Sequence, residues 1–175
     1  LQMLQNCFVF RFFILVLSFL LGASLSYGQS DLILTAVFDG PLSIGVPKGV
    51  EIYVINDIPD LSVYGLGSAN DGGGTDGEEF TFPSIAATAG EYLYVASEST
   101  GFSFFFDFAP DDVRPAVSIN GDDAIELFQN GSVVDIFGTV DCDPNAGSSP
   151  CPDWEYSDGW AYRNNHTGPD GNTFI

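Results

Sequence analysis

From residue 31 onward, apolar residues recur at every second position in short runs broken by Gly, Pro, Asn and Asp, and helical periodicity is nearly absent. This alternation predicts strands over Asp31–Phe38, Val50–Asn56, Leu61–Leu66, Phe80–Phe82 and Glu91–Ala96, with a late strand over Gly159–Arg163. In the second run Val50, Ile52 and Val54 alternate against Glu51, Tyr53 and Ile55; in the third, Leu61, Val63 and Gly65 share a face; in the fifth, Tyr92, Tyr94 and Ala96 do. Gly101–Phe108 is rich in phenylalanine and reads as a strand or a short irregular segment.

The clearest unit is Asn120–Gly138, a complete β-hairpin. Asn130-Gly131 is the preferred pair for a two-residue type I′ turn, because both central positions need positive φ. With that loop, Gln129 faces Ser132, Phe128 faces Val133, Leu127 faces Val134, Glu126 faces Asp135 and Ile125 faces Ile136. The aliphatic set Ile125, Leu127, Val134 and Ile136 then forms one face, and a one-residue slip turns it outward. The same register sets two carboxylates directly opposite each other, which is unfavourable. Solvent, a nearby Arg, a bound cation or a different register has to relieve the Glu126–Asp135 pair.

Eight or so short strands at this spacing predict an all-β fold, a sandwich or a barrel. The sandwich is preferred, since each strand has one aliphatic core face and the chain's 16 Phe supply bulk to fill the space between sheets. There is no internal repeat, and 175 residues suit one domain with a sizeable core.

The N-terminus changes the picture. Arg11, the apolar run Phe12–Leu21 and the small residues of Ser26-Tyr27-Gly28 read as a signal peptide over 1–28, leaving a mature domain over 29–175 that is secreted or at the cell surface. The apolar run is short for a membrane span, so no transmembrane segment is expected after cleavage. Cys7 leaves with the signal. Cys142 and Cys151 remain, an even number in an exported chain, and a disulfide closing their Pro/Gly/Ser-rich loop is expected to add about 2–3 kcal/mol or less. Free-thiol labelling of the unreduced protein should leave both cysteines unlabelled. Asn130-Gly131-Ser132 and Asn165-His166-Thr167 are glycosylation sequons, meaningful only in a eukaryotic secretory pathway.

The formal net charge is −20, from 24 acidic against 4 basic residues, and Arg11, Lys48, Arg114 and Arg163 are scattered. No basic stripe exists, so direct nucleic-acid binding is disfavoured.

Glu51-Ile52-Tyr53, then Asp60-Leu61-Ser62-Val63-Tyr64-Gly65-Leu66, then Gly121-Asp122-Asp123-Ala124-Ile125-Glu126-Leu127, Asn130-Gly131 and Val134-Asp135-Ile136-Phe137-Gly138 resemble the lamin-tail domain, most of all its exported bacterial branch. Trp160-Ala161-Tyr162-Arg163 resembles the late, Arg-ending strand of that module. The resemblance spans about Asp31 to Phe174. It implies an immunoglobulin-like β-sandwich without catalysis, serving binding, attachment or targeting to an unidentified protein or surface polymer. Such modules often stand beside secreted nucleases, phosphatases and other hydrolases. The chain does not begin with Met and stops at Ile175 just where a closing strand would start, so a truncated domain followed by a missing catalytic part is the alternative expectation.

The residues themselves offer three candidates for chemistry. Asp71, Asp76 and Glu78, on the Gly-flexible loop Asn70–Glu79, carry the oxygen ligands that Ca²⁺ prefers, without the spacing of an EF-hand. A second acidic group, Asp141, Asp143 and Asp153, surrounds the cysteines. Trp154, Tyr156, Trp160 and Tyr162 either fill the core and cover the disulfide loop or, exposed at alternate strand positions, stack on sugar rings; a Ca²⁺-dependent carbohydrate-binding module is therefore a further alternative. Catalysis has little to stand on. The single His166 lies in NNHTGPDG with no serine elbow in the chain, and Gly72–Gly74 lacks the Lys and helix of a phosphate loop. A metal-dependent nuclease would need bases for its phosphate, and no catalytic residue is assigned.

Overall fold

The computed structural model describes residues 30–143, 154–165 and 167–171. Among the described residues nine strands form two sheets: β1 (Leu32–Leu42), β2 (Val46–Val54), β3 (Tyr64–Ala69), β4 (Phe80–Thr81), β5 (Tyr92–Ala96), β6 (Asp112–Val113), β7 (Ala124–Gln129), β8 (Ser132–Phe137) and β9 (Trp160–Tyr162). The first sheet has the order β6-β5-β2-β1-β9 and the second β4-β3-β7-β8. Every pairing is antiparallel except β5 with β6. The inner faces share one core: Leu32, Leu34, Val37, Val50, Ile52, Val54 and Val95 from the first sheet meet Tyr64, Leu66, Ile125, Leu127 and Phe137 from the second. The all-β, two-sheet expectation holds at this level.

Two elements differ from the sequence expectation. Leu61–Val63 is a 3₁₀ turn, its first N–H groups capped by Asp60, whose carboxylate accepts from the Ser62 amide at 2.9 Å. The turn resets the alternation, so Tyr64 and Leu66 point inward while Gly65 and Gly67 face out. Those glycines are required. A Cβ at 67 would lie 2.0 Å from the Gly77 carbonyl oxygen and one at 65 would lie 2.2 Å from Glu78 Oε1, because the acidic loop crosses directly over them. Thr100–Phe106 is an α-helix, α1, rather than a strand or an irregular segment. Glu98 caps it by accepting from the Gly101 and Phe102 amides at 2.7 and 3.0 Å, and Phe102 and Phe106, four apart, share the face laid on the first sheet.

The hairpin has its type I′ turn, with φ of 51° at Asn130 and 75° at Gly131. The register holds for Gln129–Ser132 and Phe128–Val133 and then shifts: Leu127 pairs with Asp135, Glu126 with Ile136 and Ile125 with Phe137. Val134 is the extra residue of a β-bulge. Glu126 and Asp135 therefore do not oppose each other, and the expected pairing of Leu127 with Val134 and Ile125 with Ile136 is corrected. The bulge aims Asp135 into the sandwich, where it is fully buried.

An internal cation makes that tenable. Arg163 Nη2 donates to Asp135 Oδ1 at 2.8 Å, Nη1 to Asp170 Oδ2 at 2.7 Å and Nε to the Leu34 carbonyl at 2.7 Å. Asp135 also accepts from the Leu34 and Asp170 amides at 2.8 and 2.9 Å. Leu34 flanks a bulge in β1, so one carboxylate joins an irregularity in each sheet. Burial pushes the Asp135 carboxyl up, and the guanidinium pulls against it. At the other end of β1, Lys48 Nζ donates to Asp39 Oδ1 at 2.6 Å, the Ile119 carbonyl at 2.9 Å and Asn120 Oδ1 at 2.7 Å. The Asp39 amide donates to the Gly159 carbonyl at 2.9 Å, which sets the start of β9.

Candidate functional site

The outer face of the first sheet is where side chains gather with no second sheet over them. Strand pairing arranges it in rows. Trp160 lies beside Phe38, then Gly49 and Ala96; Tyr162 lies beside Ala36, then Glu51 and Tyr94; Tyr53 lies beside Tyr92. Period-two alternation produces this, since the inward partners in the same strands are Val50, Ile52, Val95 and Ala161.

Helix α1 stands on one half of the face. Phe102 is wholly buried there, its ring 5.9 Å from Phe38, 6.0 Å from Tyr94, 4.7 Å from Phe106 and 5.3 Å from Phe108. Close approach needs glycine at two positions. A Cβ at 49 would sit 2.8 Å from the Phe38 ring, and one at 101 would sit 2.7 Å from a Val46 methyl. The helix then touches the edge strand, with the Phe105 and Trp160 rings 5.9 Å apart in an edge-to-face arrangement.

Beyond the helix the face is open, with Trp160 at the border between the two parts. Tyr92, Trp160 and Tyr162 are 51%, 50% and 62% exposed. Between them sits a fixed polar centre: the Tyr94 hydroxyl donates to Glu51 Oε2 and the Thr35 hydroxyl to Oε1, both at 2.7 Å. Burial, then the Glu51 carboxylate and the neighbouring Tyr92 and Tyr162, push the Tyr94 hydroxyl far above its ordinary value, so it remains a donor. Of the four aromatics singled out in the sequence, Trp160 and Tyr162 are thus outward and exposed, while Trp154 and Tyr156 are buried.

The acidic candidates are distributed differently from the loop-centred expectation. Asp71 lies in a 3₁₀ turn at φ 51° and has one carboxylate oxygen within 4.8 Å of oxygens of Asp122 and Asp123, the group among the described residues that could hold a cation. Asp76 and Glu78 lie outside this group; Glu78 Oε1 accepts from the Thr81 hydroxyl at 2.5 Å. The register of β3 with β7 explains the convergence, because Ala69 pairs with Ala124 and so the residues just beyond each meet. Three carboxylates would supply part of the six to eight oxygens that Ca²⁺ takes. Asp123, however, already accepts from the Asp71 and Asn120 amides at 2.9 and 2.7 Å, as a clamp on the turn. The backbone of Cys142 and Asp143 abuts Gly72. Cys151, Asp153 and His166 lie outside the described residues, as does the N-terminal segment read as a signal peptide.

Two buried carboxylates have no cation beside them in the contacts described. Burial raises Glu126, with the Thr75 hydroxyl, 2.5 Å from Oε2, acting in the opposite sense. Burial also raises Asp123, against its two backbone donors. A raised folded-state value means that the fold binds the proton more tightly than the open chain does. The stabilising contribution is full below the ordinary values of 4.5 and 3.8 and is lost as pH rises through the raised ones. The melting temperature should therefore fall as pH rises from those ordinary values through the raised ones, and Glu126→Gln should raise the neutral value and flatten the dependence. Calorimetric melting across that range checks both.

Compared with known proteins, the chain matches no family model, no curated protein and no solved structure, so the functional reading rests on its own residues and geometry.

Proposed function

We propose that this chain is an exported β-sandwich of the lamin-tail-like, immunoglobulin-like kind, and that it works as an attachment module through the outer face of its first sheet. The observation that carries the reading is the open half of that face, where Tyr92, Trp160 and Tyr162 stand half exposed or more around the Glu51 carboxylate. Large aromatic surface left in water on a rigid sheet marks an interaction site, since Trp and Tyr gain most when one side of the ring is covered. The residues that carry the lamin-tail resemblance support the same reading from the scaffold side: Glu51-Ile52-Tyr53 lies on β2, the Gly121–Gly138 stretch spans the β7–β8 hairpin, and Arg163 follows β9. Export rests on the signal segment, and the Cys142–Cys151 bridge belongs with it. Among the described residues no helix is long and apolar enough to cross a membrane.

The test is sedimentation of the exported chain with the surface fraction of the cells that make it. The wild-type chain should sediment, and the Trp160→Ala/Tyr162→Ala variant should stay in the supernatant with an unchanged melting temperature. Equal sedimentation of both would remove the outer face from the account.

A further inference from the structure

We propose that the occupant of the open face is an uncharged polysaccharide, lying across the strands from β9 to β5, with Trp160 and Tyr162 against sugar rings and Glu51 accepting sugar hydroxyls. This rests on the attachment reading above and names the chemistry of its ligand.

Three observations select that chemistry. The first is the pairing of surfaces. A pyranose presents flat C–H faces and a rim of hydroxyl donors, and the open face presents flat rings around one acceptor. Trp160 and Tyr162 are two residues apart on one strand, so their side chains leave the same side about 7 Å apart. Tyr94 and Tyr92 lie three strands away on β5, about 14 Å across the sheet. Glu51 sits between these groups with each oxygen held by a hydroxyl, which aims its remaining lone pairs without exposing a free-swinging side chain.

The second is charge. The chain carries a formal −20, and each described cation is engaged internally: Lys48 by Asp39, Arg163 by Asp135 and Asp170, and Arg114 by Asp112. Arg114 is also spent over the Phe80 ring at 4.6 Å. An anionic polymer or an anionic lipid surface would approach Glu51 with no counter-cation on the face. A second copy packed face to face about a two-fold axis would bring two Glu51 carboxylates towards each other, which disfavours self-association there.

The third is rigidity. The Phe105 edge contact holds Trp160, and the Tyr53–Tyr92 pair, with rings 5.0 Å apart, braces the far side. Rings already fixed lose little freedom when a chain settles on them.

The experiment is native affinity electrophoresis of the full chain through gels containing soluble β-glucan, xylan, mannan or the polyanion alginate, with pull-down on cellulose and chitin and with oligomeric state read by analytical ultracentrifugation. At least one neutral polysaccharide should retard the protein. Trp160→Ala and Tyr162→Ala should each weaken the effect about tenfold, and the double variant should abolish it. Ile85→Ser, at an exposed position on the segment before Ala87, should leave it intact. Glu51→Gln should weaken binding without a change in melting temperature. Four results would overturn the proposal: no retardation by any neutral polysaccharide, retardation that survives the double variant, retardation by polyanions alone, or a dimer dissolved by Trp160→Ala. If any of these occurs while sedimentation with the surface fraction still depends on Trp160 and Tyr162, the ligand assignment falls and the attachment reading stands. Loss of that dependence would remove the attachment reading itself.

Discussion

Replacing Arg163 with methionine should destabilise the domain by about 3–5 kcal/mol, because it leaves Asp135 buried without its cation. Whole domains have only about 5–15 kcal/mol of stability, so the variant should sit near the edge of folding. Asp135 is fully buried, and its other donors, the Leu34 and Asp170 amides, are neutral. The loss should also depend on pH. Without the guanidinium the carboxyl is raised further, so the variant regains stability as pH falls and loses it as pH rises through the new value. Urea unfolding at several pH values checks the size and the sign together. In a double-mutant cycle with Asp135→Asn, the two losses should be far from additive, since both variants remove the same contact. Additive losses would mean that the bulges in β1 and β8 are held by something other than this pair.

The second large effect is expected at Phe102. Phe102→Ala should cost about 3–5 kcal/mol, the range for emptying a buried aromatic site. Phe102 is wholly buried and contacts Phe38, Tyr94, Phe106 and Phe108, so its loss undercuts the helix rather than the main core. Hydrogen exchange should rise across Thr100–Phe106 while the β1–β2 amides keep their protection. Phe104→Ala on the same helix, at a side chain 80% exposed, should shift stability by about 0.5 kcal/mol or less. Because Phe105 touches Trp160, loosening the helix should also loosen the edge ring of the proposed binding face, and Phe102→Ala should weaken attachment even where the sheet survives.

These two sites also show what could be read from the chain and what could not. Strand alternation is local, so the sharing of one face by Val50, Ile52 and Val54 and of another by Tyr92, Tyr94 and Ala96 was legible from residues two apart, while which face turns inward was not. The Asn130-Gly131 turn was legible for the same reason. The bulge at Val134 was not. The alternation pointed to a hydrophobic residue facing the core, and only a guanidinium 28 positions later, on the far edge of the other sheet, lets a carboxylate take that place. The like-charge conflict between Glu126 and Asp135 was the visible sign, and a different register with a nearby Arg resolves it.

The helix was hidden because its four phenylalanines also suit a strand. Glu98, placed to cap the Gly101 and Phe102 amides, and the four-residue spacing of Phe102 and Phe106 were the overlooked signals. Asp122 and Asp123 were seen as part of the hairpin, but their meeting with Asp71 depends on β3 pairing with β7, a contact between segments some fifty residues apart. For the aromatics, sequence spacing alone left both faces open to Trp160 and Tyr162. The pairing of β9 with β1, which sends Ala161 inward, decides it.

The most direct measurement of the central claim uses the chain's two tryptophans, Trp154 and Trp160. Trp154 is 6% exposed and shielded, so quenching of fluorescence by acrylamide reports on Trp160. When solubilised surface polymer saturates the protein, the quenchable emission should fall and shift to the blue as Trp160 is covered. Saturated protein in which Trp160 stays as open to acrylamide as before would contradict attachment through the outer face of the first sheet.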